Sequence, residues 1–384
     1  MAKLKAFFRD TDGFYLLLIT ACSLLSVTLL LSWCNSVSPS PAPSFWEFLV
    51  KYRVALIQLL AVAAGLSCAL IISRIDYHRM TPLWIIYTAV IWLLVLLTFL
   101  RAGPFGVSPG DTGAYCWIRL PFGLALQPTE LAKSSFILTF SLHLYAVRHT
   151  DAPLAVAGLI IHLLAPVVLI HLQGDDGTAL VFFVTGLAMF LSVKHKLRYF
   201  IGTAAAALAA TPLVWHLMAG YQRARILAVF APGRLDSLTL ESILYQQNQG
   251  LAAIKAGGLF GLGLFKPDTT YIPAANNDFI FSHLAEVMGL AGCAILILLL
   301  AGILYRTLSI GVRSHDFRGR TIAVGVFTLF LAETVINIGM NLELMPVIGL
   351  PLPFFSSGGS SLMGAFLCAG FILSVKRNSF SEKL

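Results

Sequence analysis

Residues 279–305 read FIFSHLAEVMGLAGCAILILLLAGILY, with Glu286 as their only carboxylate and no Lys or Arg among them. A helix crosses the hydrocarbon core of a bilayer with about 20 apolar residues, so this run is long enough to span and too apolar to face water. Working outward, similar runs fall at 14–34, 53–73, 82–100, 130–147, 152–172, 177–193, 199–218, 321–342 and 360–375. Composition agrees: 58% of the 384 residues are hydrophobic and 11% charged, against roughly 25% charged in an average soluble domain. The alternating pattern of a β-barrel does not produce continuous runs of this kind. The expected fold is an all-α integral membrane protein of about ten transmembrane helices, one polytopic domain over residues 1–384. The first run is too long for a signal-peptide core and lacks a small-residue cleavage site, so it is expected to be a retained helix.

The net charge of +8 belongs to orientation. With the N-terminus inside, 16 of the 26 Lys and Arg fall in inner segments, nine in outer ones, and Lys133 inside the fourth run. Basic residues concentrate on the cytoplasmic side of membrane proteins, which puts both termini inside. This reading needs no nucleic acid. The outer side then holds segments 101–129, 173–176, 219–278 and 343–359, where Asp111, Asp175, Asp176, Asp236, Glu241, Asp268, Asp278 and Glu343 collect. Cys22, Cys68, Cys293 and Cys368 lie in apolar runs, Cys34 and Cys116 near loop ends, and no CxxC pattern or Cys/His cluster suggests zinc or a disulfide framework. His162, His171, His216 and His283 have no metal-ligand spacing either.

Several segments carry chemistry. In QPTELAK (127–133), Glu130 and Lys133 are three apart on one helical face, either a salt bridge at a helix entry or an intramembrane functional pair. In QGDDGT (173–178), Asp175 and Asp176 are candidate ligands of a divalent cation, or simply tight-turn residues. The stretch Tyr245–Lys255 suggests a short interfacial helix ending at Gly257 and Gly258. The GxxGxG of Gly258, Gly261 and Gly263 follows no strand, so it is read as backbone lying against a headgroup or another span and not as a dinucleotide loop. Asp278 precedes an apolar run, where it either caps the helix or, desolvated by Phe279 and Phe281, serves as a general base. Glu286 lies about two turns deeper. Glu333 and Asn337 share a face, and the Pro- and Gly-rich segment after them is either a re-entrant lining or an ordered loop.

Taken together, QPTELAK, QGDDGT, Tyr245, Gln246 and Gln249, the four glycines 257, 258, 261 and 263, DFIF (278–281), INIGMN (336–341) and PLPFFSSGGSS (351–361) resemble the SEDS family (shape, elongation, division and sporulation) of RodA, FtsW and SpoVE over nearly the whole chain. The resemblance implies a peptidoglycan glycosyltransferase that polymerises lipid II on the outer face of the bacterial cytoplasmic membrane, with undecaprenyl pyrophosphate leaving. It implies Asp278 as the essential acidic residue, whether or not it also caps, and an outer catalytic loop over about 219–278. Lys133, Glu130, Arg101, Arg225, Gln246, Lys255, Asp175, Ser356 and Ser357 become candidate substrate contacts, Arg225 first among the arginines. A divalent cation, Mg or Mn, could share the pyrophosphate charge. The implied partner is a class B penicillin-binding protein acting as transpeptidase. A lipid flippase or transporter, motivated by Glu286, Glu333 and Lys133, and a scaffold for that transpeptidase are the competing readings. The chain departs from the family pattern at Cys116, Gly174, Ala274, Asn277 and Glu333, which loses a basic and an acidic group in the outer loops.

Overall fold

A computed structural model describes residues 11–38, 44–78, 81–108, 113–150, 152–193, scattered positions between 202 and 216, 218–266 and 269–379. Nine of the ten apolar runs fold as helices, most of them close to the expected limits, while the run expected to end at 305 continues to Arg313. In chain order they are α1 (Gly13–Val37), α2 (Phe45–Lys51), α3 (Arg53–Ile72), α4 (Thr81–Leu97), α5 (Pro128–Val147), α6 (Pro153–Leu172), α7 (Asp176–Leu191), α8 (Gly220–Phe230), α9 (Ser237–Gly257), α10 (Ile280–Arg313), α11 (Phe317–Asn341) and α12 (Gly359–Ser379). Among the described residues, seven helices are long and apolar enough to cross a membrane: α1, α3, α4 with its extension to Leu100, α6, α10, α11 and α12. The apolar helix α7 is shorter, and α5 carries Glu130 and Lys133. The run expected at 199–218 lies mostly outside the described residues, and Asp111 and Asp268 lie outside them as well.

Helix starts are set by local chemistry. The carboxylates of Asp12, Asp175, Asp236 and Asp316 each accept a backbone N–H of the first turn, of Tyr15, Thr178, Thr239 and Gly319 respectively. Pro128 and Pro153 occupy the first turns of α5 and α6, where a missing N–H costs nothing. Small residues then let helices close on one another: Gly65 of α3 abuts Phe366 of α12, and Gly370 of α12 abuts Ala69 of α3.

Three features differ from the sequence expectation. The fold is not purely helical, because residues 105–126 form a three-stranded antiparallel sheet, β1 (Phe105–Val107), β2 (Trp117–Arg119) and β3 (Ala125–Leu126). These strands are too short to show alternation. The helix expected at Tyr245–Lys255 begins eight residues earlier, at Ser237, because Asp236 caps it. And α10 is not continuous: Gly289, at φ 65°, breaks it.

That break seats the glycine-rich loop. The carbonyls of Glu286 and Val287 accept the N–H groups of Leu262 and Gly263 at 2.8 and 3.0 Å, and the N–H groups of Leu290 and Ala291 donate to Gly258 and Leu259 at 2.9 and 3.1 Å. A helix broken at membrane depth leaves polar backbone that must be paired, and here the loop pairs it. Gly257, Gly261 and Gly289 lie so close to the facing backbone that any Cβ would collide with it. The Glu286 carboxylate pins the loop's far side by accepting from the Thr270 N–H at 2.6 Å.

The start of α1 and the end of α12 lie at one end of the bundle. Asp12, at the start of α1, pairs with Arg306 near the end of α10 at 2.6 Å and with Lys376 near the end of α12 at 3.4 Å. Asp278 precedes α10 and touches the end of α11, so it lies at the opposite end.

Candidate functional site

Asp278 does not cap α10. The cap position is Phe279, with no side-chain cap bond, and among the described residues the Asp278 carboxylate makes no hydrogen bond to protein. Its backbone, by contrast, is clamped. The Asp278 carbonyl accepts from Asn337 Nδ2 at 3.1 Å and from Asn341 Nδ2 at 3.0 Å. Asn341 Oδ1 meanwhile accepts from Ser282 N at 3.1 Å and Ser282 Oγ at 2.6 Å, serving the first turn of α10 in place of an aspartate. The peptide of Asp278 is therefore fixed in place while its carboxylate stays free of hydrogen bonds.

The electrostatics suit a base. Burial pushes the Asp278 carboxyl up to about 6, while Arg225 pulls it down and Asp175 pushes it up. Arg225 is held on the rim: Nη1 donates to Val347 O at 3.1 Å, and the guanidinium lies 5.7 Å from the Tyr221 ring centre. The 347–350 backbone passes beside Asp278, since a Cβ on Gly349 would sit 3.6 Å from Oδ2. Asn337 also donates to Leu350 O at 2.7 Å, tying that strand of backbone to the same amide pair.

The segment after α11 turns back into the bundle. Leu350, Leu352, Phe354 and Phe355 are buried, and Phe354 adopts φ 60°. Polar side chains from other helices satisfy its backbone: Gln58 of α3 donates to Ser356 O at 3.1 Å and Ser26 of α1 bonds Phe355 O. Ser356 Oγ accepts from Leu352 N and donates to Asn277 O, both at 2.8 Å, and Ser357 N donates to Asn276 O at 3.0 Å. These serines position the peptide leading into Asp278.

Glu130 and Lys133 form a buried cluster with Glu333. Lys133 Nζ lies 2.6 Å from Glu130 Oε1 and 2.7 Å from Glu333 Oε1, all three side chains nearly sealed from solvent. This cluster opens into a narrow cleft that Pro351, Pro353 and Ser356 also line. Gln246 is partly buried on α9, Lys255 is exposed in that helix's last turn, and Arg101 is exposed with its guanidinium 4.4 Å from the Tyr115 ring centre. No bond brings those three to Asp278. The neighbouring Gln247 matters more to the frame, donating to Met340 O and Met345 O, both at 2.9 Å; its burial has no signature in the sequence.

Asp175 and Asp176 diverge. Asp175 caps α7 and accepts from Gln127 Nε2 at 2.8 Å, and burial pushes its carboxyl up. Asp176 lies 2.6 Å from His171 Nδ1 and bonds Gln222. All four oxygens face protein groups, so this pair does not fit a shared cation site, and no group of three His, Cys, Asp or Glu among the described residues could hold one.

Residues 16–381 match the profile of the FtsW, RodA and SpoVE proteins, described as Cell cycle protein. The chain belongs to this family. Among its relatives is the "Probable peptidoglycan glycosyltransferase FtsW" of Trichlorobacter lovleyi, 31% identical over 83% of this chain and 82% of the relative. Stage V sporulation protein E of Bacillus subtilis is 29% identical over 93% of this chain and 96% of its own length. A solved structure concerning coordination of polymerization and crosslinking by a peptidoglycan synthase complex superposes with a TM-score of 0.76 at 26% identity, covering 97% of this chain and 99% of the other. The Thermus thermophilus rod shape determining protein RodA shares the fold, at a TM-score of 0.65 and 24% identity over 97% and 98% of the two chains.

Proposed function

We propose that the protein is a peptidoglycan glycosyltransferase that polymerises lipid II at the outer surface of the bacterial cytoplasmic membrane. The observation that carries this is the free, partly buried carboxylate of Asp278 on a doubly anchored backbone, in a family whose relatives bear that activity in their names. The end of the bundle that holds the start of α1 and the end of α12 faces the cytoplasm, as the basic inner segments require, and Asp278 faces outward.

In the reaction, the GlcNAc 4-hydroxyl of one lipid-linked disaccharide attacks C1 of the MurNAc of another. The O4–C1 bond forms with inversion as the C1–oxygen bond to undecaprenyl pyrophosphate breaks, and the pyrophosphate leaves with the electron pair. A hydroxyl is a weak nucleophile at neutral pH, so Asp278 takes its proton. A carboxyl near 6 is ionised at neutral pH yet basic enough to accept it. Arg225, on the rim beside Asp278, is placed for the developing pyrophosphate charge, and exposed Arg101 and Lys255 are available to the incoming headgroup. Because Asp175 and Asp176 face protein groups, a divalent cation would arrive on the pyrophosphate. A class B transpeptidase would crosslink the product.

Purified protein with lipid II, with and without a cognate transpeptidase, is expected to yield glycan strands, and the Asp278→Asn variant to yield them at least about 100-fold more slowly. Headgroup translocation in liposomes without polymerisation would favour a flippase; polymerisation by Asp278→Asn at the wild-type rate would remove the base.

A further inference from the structure

A second cavity lies at the opposite end of the bundle, where α5 and α7 finish and α10 gives way to α11. Its volume of about 400 Å³ falls within the roughly 300–1,000 Å³ of ordinary ligand sites. One wall is apolar, with Leu308, Val312 and Val324, and the rim carries Arg148, His149 and Arg320. Among the described residues no carboxylate lines it.

Among the described residues no carboxylate pairs with these cationic groups. Arg148 donates to Tyr145 O at 2.6 Å and Arg320 to His315 O at 3.2 Å, both backbone acceptors. Arg318 joins Arg148 against one ring, the two guanidiniums 4.9 and 3.6 Å from the centre of Tyr145, and the buried Arg318 Nε has no hydrogen-bond partner. Asp316, the acid nearest in sequence to Arg318 and Arg320, is already engaged by Tyr77, His78 and the Gly319 N–H, and Asp151, three residues after Arg148, lies outside the described residues. Like charges gathered without a counter-ion repel, and a bound anion relieves that repulsion. Apolar side chains lining the same cavity as the charges favour, over a bare ion, an amphiphile whose head is anionic and whose tail is hydrocarbon.

We propose that this cavity binds the head group of an anionic phospholipid of the cytoplasmic leaflet. The assignment to that leaflet rests on the orientation given above, and it is independent of the transferase chemistry. The phosphate sits among Arg148, His149 and Arg320, and the glycerol and upper acyl chain lie along Leu308, Val312 and Val324.

Native mass spectrometry of the detergent-purified full chain tests this with dioleoyl-phosphatidylglycerol, dioleoyl-phosphatidylcholine and sodium phosphate as separate probes. The wild type is expected to retain phosphatidylglycerol over phosphatidylcholine. An Arg148→Gln/Arg320→Gln double variant should lose retention by roughly thirtyfold, taking about fivefold per charge near an anionic headgroup. Leu308→Trp, which fills the apolar wall and leaves every charge, should also lose it, and this variant decides the matter where the double variant does not fold. Equal retention of phosphatidylglycerol by wild type and Leu308→Trp overturns the proposal, as does equal retention of the two lipids by wild type. Displacement of the lipid by sodium phosphate at matched ionic strength would make the occupant a free anion and overturn it as well. Because binding is read directly, loss of lipid II polymerisation has no bearing on the result.

Discussion

Asn341, the last residue of α11, grips Asp278 from behind: its Nδ2 donates to the Asp278 carbonyl at 3.0 Å while its Oδ1 takes the Ser282 hydroxyl at 2.6 Å. Asn337, one turn earlier, donates to the same carbonyl at 3.1 Å. Residues four apart on a helix share a face, so two amides on a rigid element fix the peptide of the proposed base without touching its carboxylate.

Asn341→Ala should therefore act on position. It removes one of the two donors to the Asp278 carbonyl and leaves the Ser282 groups without their acceptor, so kcat in lipid II polymerisation should fall about 10- to 100-fold. KM should change less than about threefold, since no substrate contact is lost. Steady-state kinetics on folded variant decide this; a change confined to KM would contradict a positioning role.

The pH dependence follows from the Asp278 carboxyl lying near 6. The base works only when ionised, so kcat/KM should rise with pH and level off above about 6. In Arg225→Gln, loss of the charge that pulls this carboxyl down should move the acid limb to higher pH. Asp278→Asn should lower the rate about 10²- to 10⁴-fold and abolish that limb. Folding is linked with the opposite sign. A carboxyl raised on folding is costly to ionise, so the cost appears as pH climbs from the ordinary aspartate value towards 6 and stays constant above it. At pH 7 Asp278→Asn should then be more stable than wild type, by about 3 kcal/mol. An unshifted acid limb in Arg225→Gln would sever Arg225 from Asp278.

Helix positions were legible because each apolar run is long, and element ends held to within a few residues where an Asp or Pro marks the start. What sequence spacing could not decide at Asp278 was whether its carboxylate caps or remains free. The deciding group, Asn341, lies 63 residues away, and no local pattern reports a bond across that separation. Its place in INIGMN was visible, its partner was not. The same holds for Lys133, whose pairing with Glu130 follows from helical spacing while Glu333 arrives from 200 residues later. The sheet at 105–126 was missed because strands of two or three residues carry no period, and the break at Gly289 because one glycine within an apolar run does not disclose the loop that fills it.

That loop makes its own prediction. Gly261 adopts φ 78°, and a Cβ there would run into the Val287–Met288 backbone. Gly261→Ala should lower thermal stability more than the 1 kcal/mol or so expected of a glycine replaced at positive φ alone, because the four backbone bonds that fill the α10 break must loosen. Thermal unfolding in detergent measures this, with Gly263→Ala as the comparison: that glycine also has positive φ, at 104°, but nothing nearer than Lys266 Cε at 3.9 Å. Equal destabilisation of the two variants would mean that the close approach at Gly261 is not what holds the loop.

The buried cluster at Lys133 separates structure from catalysis. Lys133→Met leaves Glu130 and Glu333 facing each other without a counter-charge, and breaking a buried ion pair in this way costs about 3–5 kcal/mol. Replacing all three, Glu130→Leu with Lys133→Met and Glu333→Leu, removes every charge together and should recover most of that stability. A purely structural cluster would then recover polymerisation too. The charges are not isolated, however: Lys133 and Glu130 act on Asp175, and Asp175 acts on Asp278. The cleft beside them is also lined by Ser356, which bonds the peptide entering Asp278. The triple variant should therefore fold yet polymerise lipid II at least about tenfold more slowly than wild type. Thermal unfolding and glycan-strand yield measured on the same preparation test both halves, and full activity in the stable triple variant would reduce the cluster to a helix-packing device.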